Sequence, residues 1–113
     1  MANEKYQQIV DRLIDRTERH EIEWKEGVTS GVFQVSFPNY SLTLGQHDMV
    51  TGSFDYIISI IDAAGNVIDT FSDADLGGDY YPRMGDLYQN ARRQALGVDM
   101  ALDEILDELD DKF

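Results

Sequence analysis

The chain has 113 residues with 42% hydrophobic and 11% aromatic side chains, and its 22 acidic and nine basic residues give a net charge of −13. This length and hydrophobic content predict one domain over residues 1–113 with a sizeable core, and they exclude a disordered acidic tail. The negative charge argues against direct binding to nucleic acid, no apolar run is long enough for a membrane span, and the lack of cysteine excludes disulfides and thiolate chemistry.

The first half of the chain predicts one helix followed by strands. Residues 3–20 have apolar side chains at i, i+3 and i+4, which is typical of an amphipathic helix. The period then changes to two, as expected of strands with one covered face. The alternating segments fall at residues 21–25, 32–37 and 38–44. Residues 45–53, "GQHDMVTGS", predict a loop.

The middle of the chain predicts a hairpin and then a polar loop. Residues 54–62, "FDYIISIID", carry isoleucine on both parities, so we expect a central strand covered on both sides. The turn "AAGN" and the returning segment "VIDTF" predict an antiparallel hairpin. In the loop "SDADLGGDYYP", the acids Asp73, Asp75 and Asp79 fit either Asx-type turns or a weak calcium site.

The last part of the chain predicts two helices separated by Gly97. The first spans residues 83–96, and the second begins with Asp99 as its N-cap. Four apolar side chains of the second helix are expected to be buried along one stripe: Leu102, Ile105, Leu106 and Leu109. The order of one helix, four to five antiparallel strands and two helices predicts an α+β domain with the helices packed on the sheet.

The last helix also carries a dense set of acids, which include Asp99, Asp103, Glu104, Asp107, Glu108 and Asp111. A like-charged pair at i, i+4 costs a few tenths of a kcal/mol, whereas each buried Leu or Ile contributes about 1.5–3 kcal/mol. Packing therefore tolerates the repulsion. Three interpretations remain open: a solvated face, a surface that meets a basic partner, or metal binding.

Arginine and tyrosine side chains gather just before the acidic helix. Arg92 and Arg93 diverge around the preceding helix, and we expect one of them to pair with Asp99 or Asp103. The other remains usable by an acidic group of a partner. Tyr88 lies nearby, and Tyr and Arg are common in binding hot spots, although such tyrosines more often seal the edge of a core.

Three segments resemble small bacterial α+β proteins that have no established function. They are the strand start "EIEW", the hairpin "YIISIIDAAGNVID" and the closing "LYQNARRQALGVDMALDEILDEL". With the N-terminal helix, the resemblance covers most of the chain. It implies a helix, a meander sheet and two closing helices, and it brings no catalytic residues.

These observations favour a non-catalytic interaction protein, without cofactor or metal, that binds a basic protein partner. Regularly spaced carboxylates suggest an inhibitor that imitates nucleic-acid charge, in an anti-defence or antitoxin-like role. The alternative is a housekeeping or salt-adapted domain with a solvated acidic surface, as a homodimer through an exposed sheet face. Because the N-terminus differs from a secretory signal, we expect a cytoplasmic protein of bacterial or phage origin that binds no membrane.

Overall fold

The computed structural model describes residues 2–48 and 54–112 and shows a mixed α+β fold. Its elements in chain order are α1 (Ala2–Glu18), β1 (Lys25–Glu26), β2 (Phe33–Ser36), β3 (Tyr40–Asp48), β4 (Phe54–Asp62), β5 (Val67–Ser72), α2 (Asp73–Leu76), α3 (Tyr80–Leu96) and α4 (Val98–Lys112). The five strands form one antiparallel sheet in the order β1-β2-β3-β4-β5. The predicted fold class is therefore confirmed. Among the helices described, none combines the length and apolarity needed to cross a membrane.

The longest strand pair is β3 with β4, which runs from Tyr40 opposite Asp62 to Asp48 opposite Phe54. The predicted strand over residues 54–62 and its hairpin with β5 are confirmed. The predicted loop over residues 45–53 is wrong for 45–48, because pairing with β4 extends β3 through segments of low strand propensity. The rest of that loop lies outside the described residues.

The sheet has one apolar and one polar face. The buried strand residues lie on one face of the sheet and join the helix residues in a single core, as Leu44 and Ile58 show with no exposed surface. The other face carries side chains such as Thr43 and Ser59, together with Ile57, which is only half-buried. The prediction that β4 is covered on both sides is therefore wrong, because its isoleucines on the second face remain half-exposed.

Helices α1 and α3 cover the apolar face of the sheet. Met84, Leu87 and Ala91 of α3 are buried, as are Val10 and Leu13 of α1. The predicted α3 begins earlier than expected, at Tyr80, because Pro82 is tolerated in a first turn, where its missing N–H is not needed. Residues 73–76 form the short helix α2 in place of the predicted loop.

The predicted strand over residues 21–25 is wrong for 21–24, because β1 begins only at Lys25 and Ile22 and Trp24 lie before it. The backbone N–H of Trp24 donates to the side-chain oxygen of Gln94 at 2.8 Å, and the Gln94 amide donates to the carbonyl of Ile22 at 3.2 Å. The indole N–H of Trp24 donates to the hydroxyl of buried Thr17 at 2.9 Å. The side chain of Gln94 from α3 thus bonds the backbone of Ile22 and Trp24 where the alternating pattern predicts a neighbouring strand, and Thr17 from α1 bonds the indole.

Helix α1 ends in a Schellman motif with His20 in the left-handed region, at φ 57°. The N–H of Glu21 donates to the carbonyl of Arg16 at 2.9 Å, and the N–H of His20 donates to that of Thr17 at 3.1 Å. Gly97 has a similar φ of 64° at the end of α3. His20 is strained in this conformation because it carries a Cβ, whereas Gly97 has no Cβ and is not strained.

We expect opposite effects from exchanging side chains at these two helix ends. Gly97→Ala should lower the free energy of unfolding by about 1 kcal/mol, because it adds a Cβ in the left-handed region. His20→Gly should raise it by about 0.5 kcal/mol, after subtraction of the greater freedom of glycine in the unfolded chain. Urea denaturation measures both values, with His20→Ala as the control that keeps the strain. A loss of stability in His20→Gly would contradict the assignment.

Two tyrosine–carboxylate hydrogen bonds attach α1 to the rest of the domain. The Tyr80 hydroxyl donates to Asp11 at 3.0 Å, and Arg83 pairs with the same carboxylate at 2.8 Å. The Tyr6 hydroxyl donates to Asp69 at 2.8 Å. Burial and the hydrogen bond to Asp11 raise the pKa of Tyr80, and the hydrogen bond to Asp69 raises the pKa of Tyr6.

These shifts predict a loss of stability at alkaline pH. A tyrosine whose folded pKa exceeds its ordinary value of 10.0 stabilises the fold fully below that pH and loses this contribution as the pH rises through the folded pKa. The free energy of unfolding should therefore fall above about pH 10, and it should fall less steeply in a Tyr6→Phe/Tyr80→Phe variant. Urea denaturation at stepped pH measures both slopes; equal slopes would contradict the prediction.

Candidate functional site

Helix α4 projects from the domain. Every residue from Asp99 to Asp111 is exposed. The radius of gyration is 16.0 Å, against about 13 Å for a compact domain of this length. The long dimension is 58 Å, while the other two are 36 and 26 Å. Among the helices that the structure describes, α4 is the one that is exposed over nearly its whole length, and it therefore accounts for the elongated shape.

The apolar stripe of α4, defined as Leu102, Ile105, Leu106 and Leu109, faces solvent. These side chains are between 47% and 56% exposed. The prediction that they are buried is wrong. Their period correctly identifies one apolar side of a helix, but α1 and α3 already cover the apolar face of the sheet.

The acidic face of α4 extends from one flank of the apolar stripe around to the opposite side of the helix. It comprises Asp99, Asp103, Glu104, Asp107, Glu108, Asp110 and Asp111. With Lys112 the helix has seven acids and one base, a balance of −6. Asp103, Glu104, Asp107 and Asp111 form no ion pair with any side chain that the structure describes. All six predicted partner-binding acids therefore lie on one exposed helix.

The junction of α3 and α4 sets the direction of α4. The N–H of Gly97 donates to the carbonyls of Arg93 and Gln94, and the N–H of Ala101 donates to the carbonyl of Gly97 at 3.1 Å. Arg93 forms an ion pair with Asp99, which confirms the predicted pairing of one arginine with this acid. The predicted N-cap role of Asp99 is wrong, because α4 begins one residue earlier, at Val98.

Tyr88 does not belong to the exposed surface. It is 6% exposed, its ring packs edge-on against Phe33, and its hydroxyl donates to the carbonyl of Gly31 at 2.6 Å. Burial raises its pKa. Its predicted place in a partner-binding surface is therefore wrong, because α3 turns this position towards the sheet. Arg92 is exposed on the same helix, as expected of a residue available to a partner.

The structure also reveals a groove that the sequence did not predict. It has a volume of about 540 Å³ and lies between α1 and the end of the sheet at which β3 begins. The lining is largely apolar, and three of the nine basic residues of the chain stand on its α1 side: Lys5, Arg12 and Arg16. We call this feature the α1 groove. The only signal in the sequence is the seven-residue spacing of Lys5 and Arg12, which places both on one side of a helix.

The acids Asp73, Asp75 and Asp79 are not assembled into a cation site. The carboxylate of Asp73 accepts the N–H of Tyr56 at 2.8 Å, and that of Asp75 accepts the N–H of Ser72 at 2.8 Å. Within residues 2–48 and 54–112, no group of three acids or histidines is arranged to hold a metal ion. The first two carboxylates act as acceptors of backbone N–H groups, that of Asp73 from strand β4 and that of Asp75 from its own helix start.

Comparison of the chain with protein-family models, with curated proteins and with solved structures gives no match. The resemblance to small bacterial proteins therefore stays a prediction.

The exposure of the apolar stripe predicts that polar substitutions there have little effect on stability. Leu102→Gln/Leu106→Gln should change the free energy of unfolding by about 0.5 kcal/mol or less, as is usual for surface positions. Leu87→Ala in buried α3 should lower it by about 2–5 kcal/mol. Urea denaturation measures both, at a concentration at which sedimentation shows a monomer. A loss of several kcal/mol in the first variant would show that α4 packs on its own domain.

Proposed function

We propose that the protein is a non-catalytic interaction protein in which α4 binds a basic protein partner. The observation that carries the proposal is that a helix with both an apolar stripe and an acidic face is exposed from Asp99 to Asp111. An amphipathic helix that binds a groove uses apolar side chains at i, i+3, i+4 and i+7, which is the spacing of Leu102, Ile105, Leu106 and Leu109. Acids on its flanks then select a partner with a basic rim.

The exposed stripe distinguishes this proposal from a merely solvated or salt-adapted surface. Acids alone increase solubility, and the scarcity of lysine, at positions 5, 25 and 112, suits a salt-adapted protein. Neither property explains four long aliphatic side chains side by side in water, because contiguous exposed apolar surface usually marks a contact site. The binding proposal accounts for both sides of the helix.

The charge density of α4 supports a partner that normally binds nucleic acid. The helix has 15 residues and therefore a length of about 22 Å. Its seven acids give one charge per about 3 Å of axis, and one strand of duplex DNA has one charge per about 3.4 Å. The helix would occupy the nucleic-acid groove of such a partner and thereby inhibit it.

Affinity capture tests the proposal. Immobilised protein should retain a basic protein from a lysate of its own organism at physiological salt, and mass spectrometry identifies that protein. Asp103→Asn/Asp107→Asn/Asp111→Asn should lose it because the acidic face is neutralised. Leu102→Gln/Leu106→Gln should also lose it, because the apolar stripe becomes polar.

The matched control is Glu18→Gln/Glu23→Gln/Glu26→Gln, which removes three exposed acids outside α4. It should retain the partner as strongly as the unmodified chain does. Equal retention on all four proteins, or no basic protein on any of them, would contradict the proposal. A retained nucleic-acid-binding protein whose nucleic acid is displaced by the free chain would support the inhibitory form of the proposal.

A further inference from the structure

We infer that the α1 groove binds α4 of a second copy of this chain. The inference rests on the proposed function only in using the same exposed helix as the bound element. It adds a receptor on the domain itself. Four observations support it: the apolar lining of the groove, its cationic edge, the spacing of charges on the two helices, and the junction that directs α4 away from its own domain.

The α1 groove exists because the helices cover the sheet incompletely. On the apolar face, Leu44 is fully buried and Leu42 nearly so, but Tyr40 on the same strand is 50% exposed. Phe37, just after β2, is 45% exposed. Ile9 of α1 and Ile60 of β4 are only half-buried. This end of the core therefore leaves room for another apolar element.

The edge of the groove has the charge that α4 requires. Lys5 and Arg12 of α1 are exposed, and neither forms an ion pair with the side chains in the described ranges. Arg16 lies on the same side of α1. Its guanidinium also forms an ion pair with the carboxylate of Glu21, with an N–O distance of 2.9 Å. In a chain with a net charge of −13, a row of three bases beside an apolar groove is a local exception that selects an anionic apolar ligand.

The charges on the two helices have matching spacings. Lys5 and Arg12 are seven residues apart, which is two turns and about 10.5 Å along α1. Asp103 and Asp110 are also seven residues apart, and they lie on one flank of the apolar stripe when α4 is drawn at 100° per residue. With the stripe on the groove floor, both acids meet both bases. Reversing α4 with its stripe on the floor would move this flank to the other side of the groove, so the pairing fixes one direction of α4 along α1.

The α3–α4 junction favours a second copy over the chain's own α4. The hydrogen bonds of Gly97 and the ion pair between Arg93 and Asp99 hold α4 away from the domain. Closure onto the α1 groove of the same chain would break them. A second copy leaves them intact. Two copies can exchange their α4 helices reciprocally, which gives a closed dimer with two identical contacts. In this dimer α4 is covered until a partner competes for it.

A charge-swap experiment tests the inference. Sedimentation at physiological ionic strength should show concentration-dependent dimers for the unmodified chain. Lys5→Glu/Arg12→Glu should weaken the dimer by about 100-fold or more, because acids then face acids. Asp103→Lys/Asp110→Lys should weaken it similarly, because bases face bases. An equimolar mixture of the two variants should restore the dimer, because both contacts again pair opposite charges.

The matched control Arg19→Glu/Lys25→Glu makes the same charge change outside the groove and should leave the dimer unchanged. A monomer at every concentration of the unmodified chain would overturn the inference, and so would a mixture that stays monomeric. The proposed function is tested separately, because Lys5→Glu/Arg12→Glu leaves α4 intact. If that variant still captures a basic protein while no dimer forms in the unmodified chain, the proposed function stands and the inference falls.

Discussion

The structure depends on one constraint: the sheet has a single apolar face, and two helices are enough to cover most of it. Five strands at about 4.8 Å spacing place the outer strands about 19 Å apart, and two helices of about 10 Å diameter span that width. Helices α1 and α3 take this place with Val10, Leu13, Met84 and Ala91. The part of the apolar face that stays uncovered is its end at Phe37 and Tyr40, which forms the α1 groove.

The remaining sheet face does not suit α4 either. It presents polar side chains such as Gln34, Thr43 and Ser59, against which an apolar stripe gains little. The short link at Gly97 and the ion pair of Arg93 with Asp99 then direct α4 into solvent. The like charges at i, i+4 along α4 cost less there than in a buried helix, because water screens them. Exposure therefore suits the acidic face, while it leaves the apolar stripe without a partner.

Local patterns predicted the elements well where the local signal and the tertiary contacts agree. Helix α1, strand β4, its hairpin with β5 and the end of α3 at Gly97 are examples. Patterns failed where long-range contacts decide: β3 continues through residues 45–48 because β4 pairs with it, and Gln94 replaces a strand beside Trp24. The periodicity of α4 identified which side of the helix is apolar. It could not show whether that side packs against its own domain or stays exposed. The α1 groove depends on packing between α1, strands β3 and β4 and the residues Ile22 and Phe37 outside the strands, so local patterns in the sequence carry almost no sign of it.

The overall charge and the local charges act over different distances. Two copies of a chain with a net charge of −13 repel each other, but at physiological salt this repulsion is screened beyond about 8 Å. Contacts within the α1 groove are shorter than this length and partly shielded from solvent, so opposite charges there are screened less. The apolar stripe contributes an attraction that salt does not weaken. A strongly acidic surface is therefore compatible with self-association, provided that the few bases are concentrated where the acidic helix binds. The row of Lys5, Arg12 and Arg16 meets that condition.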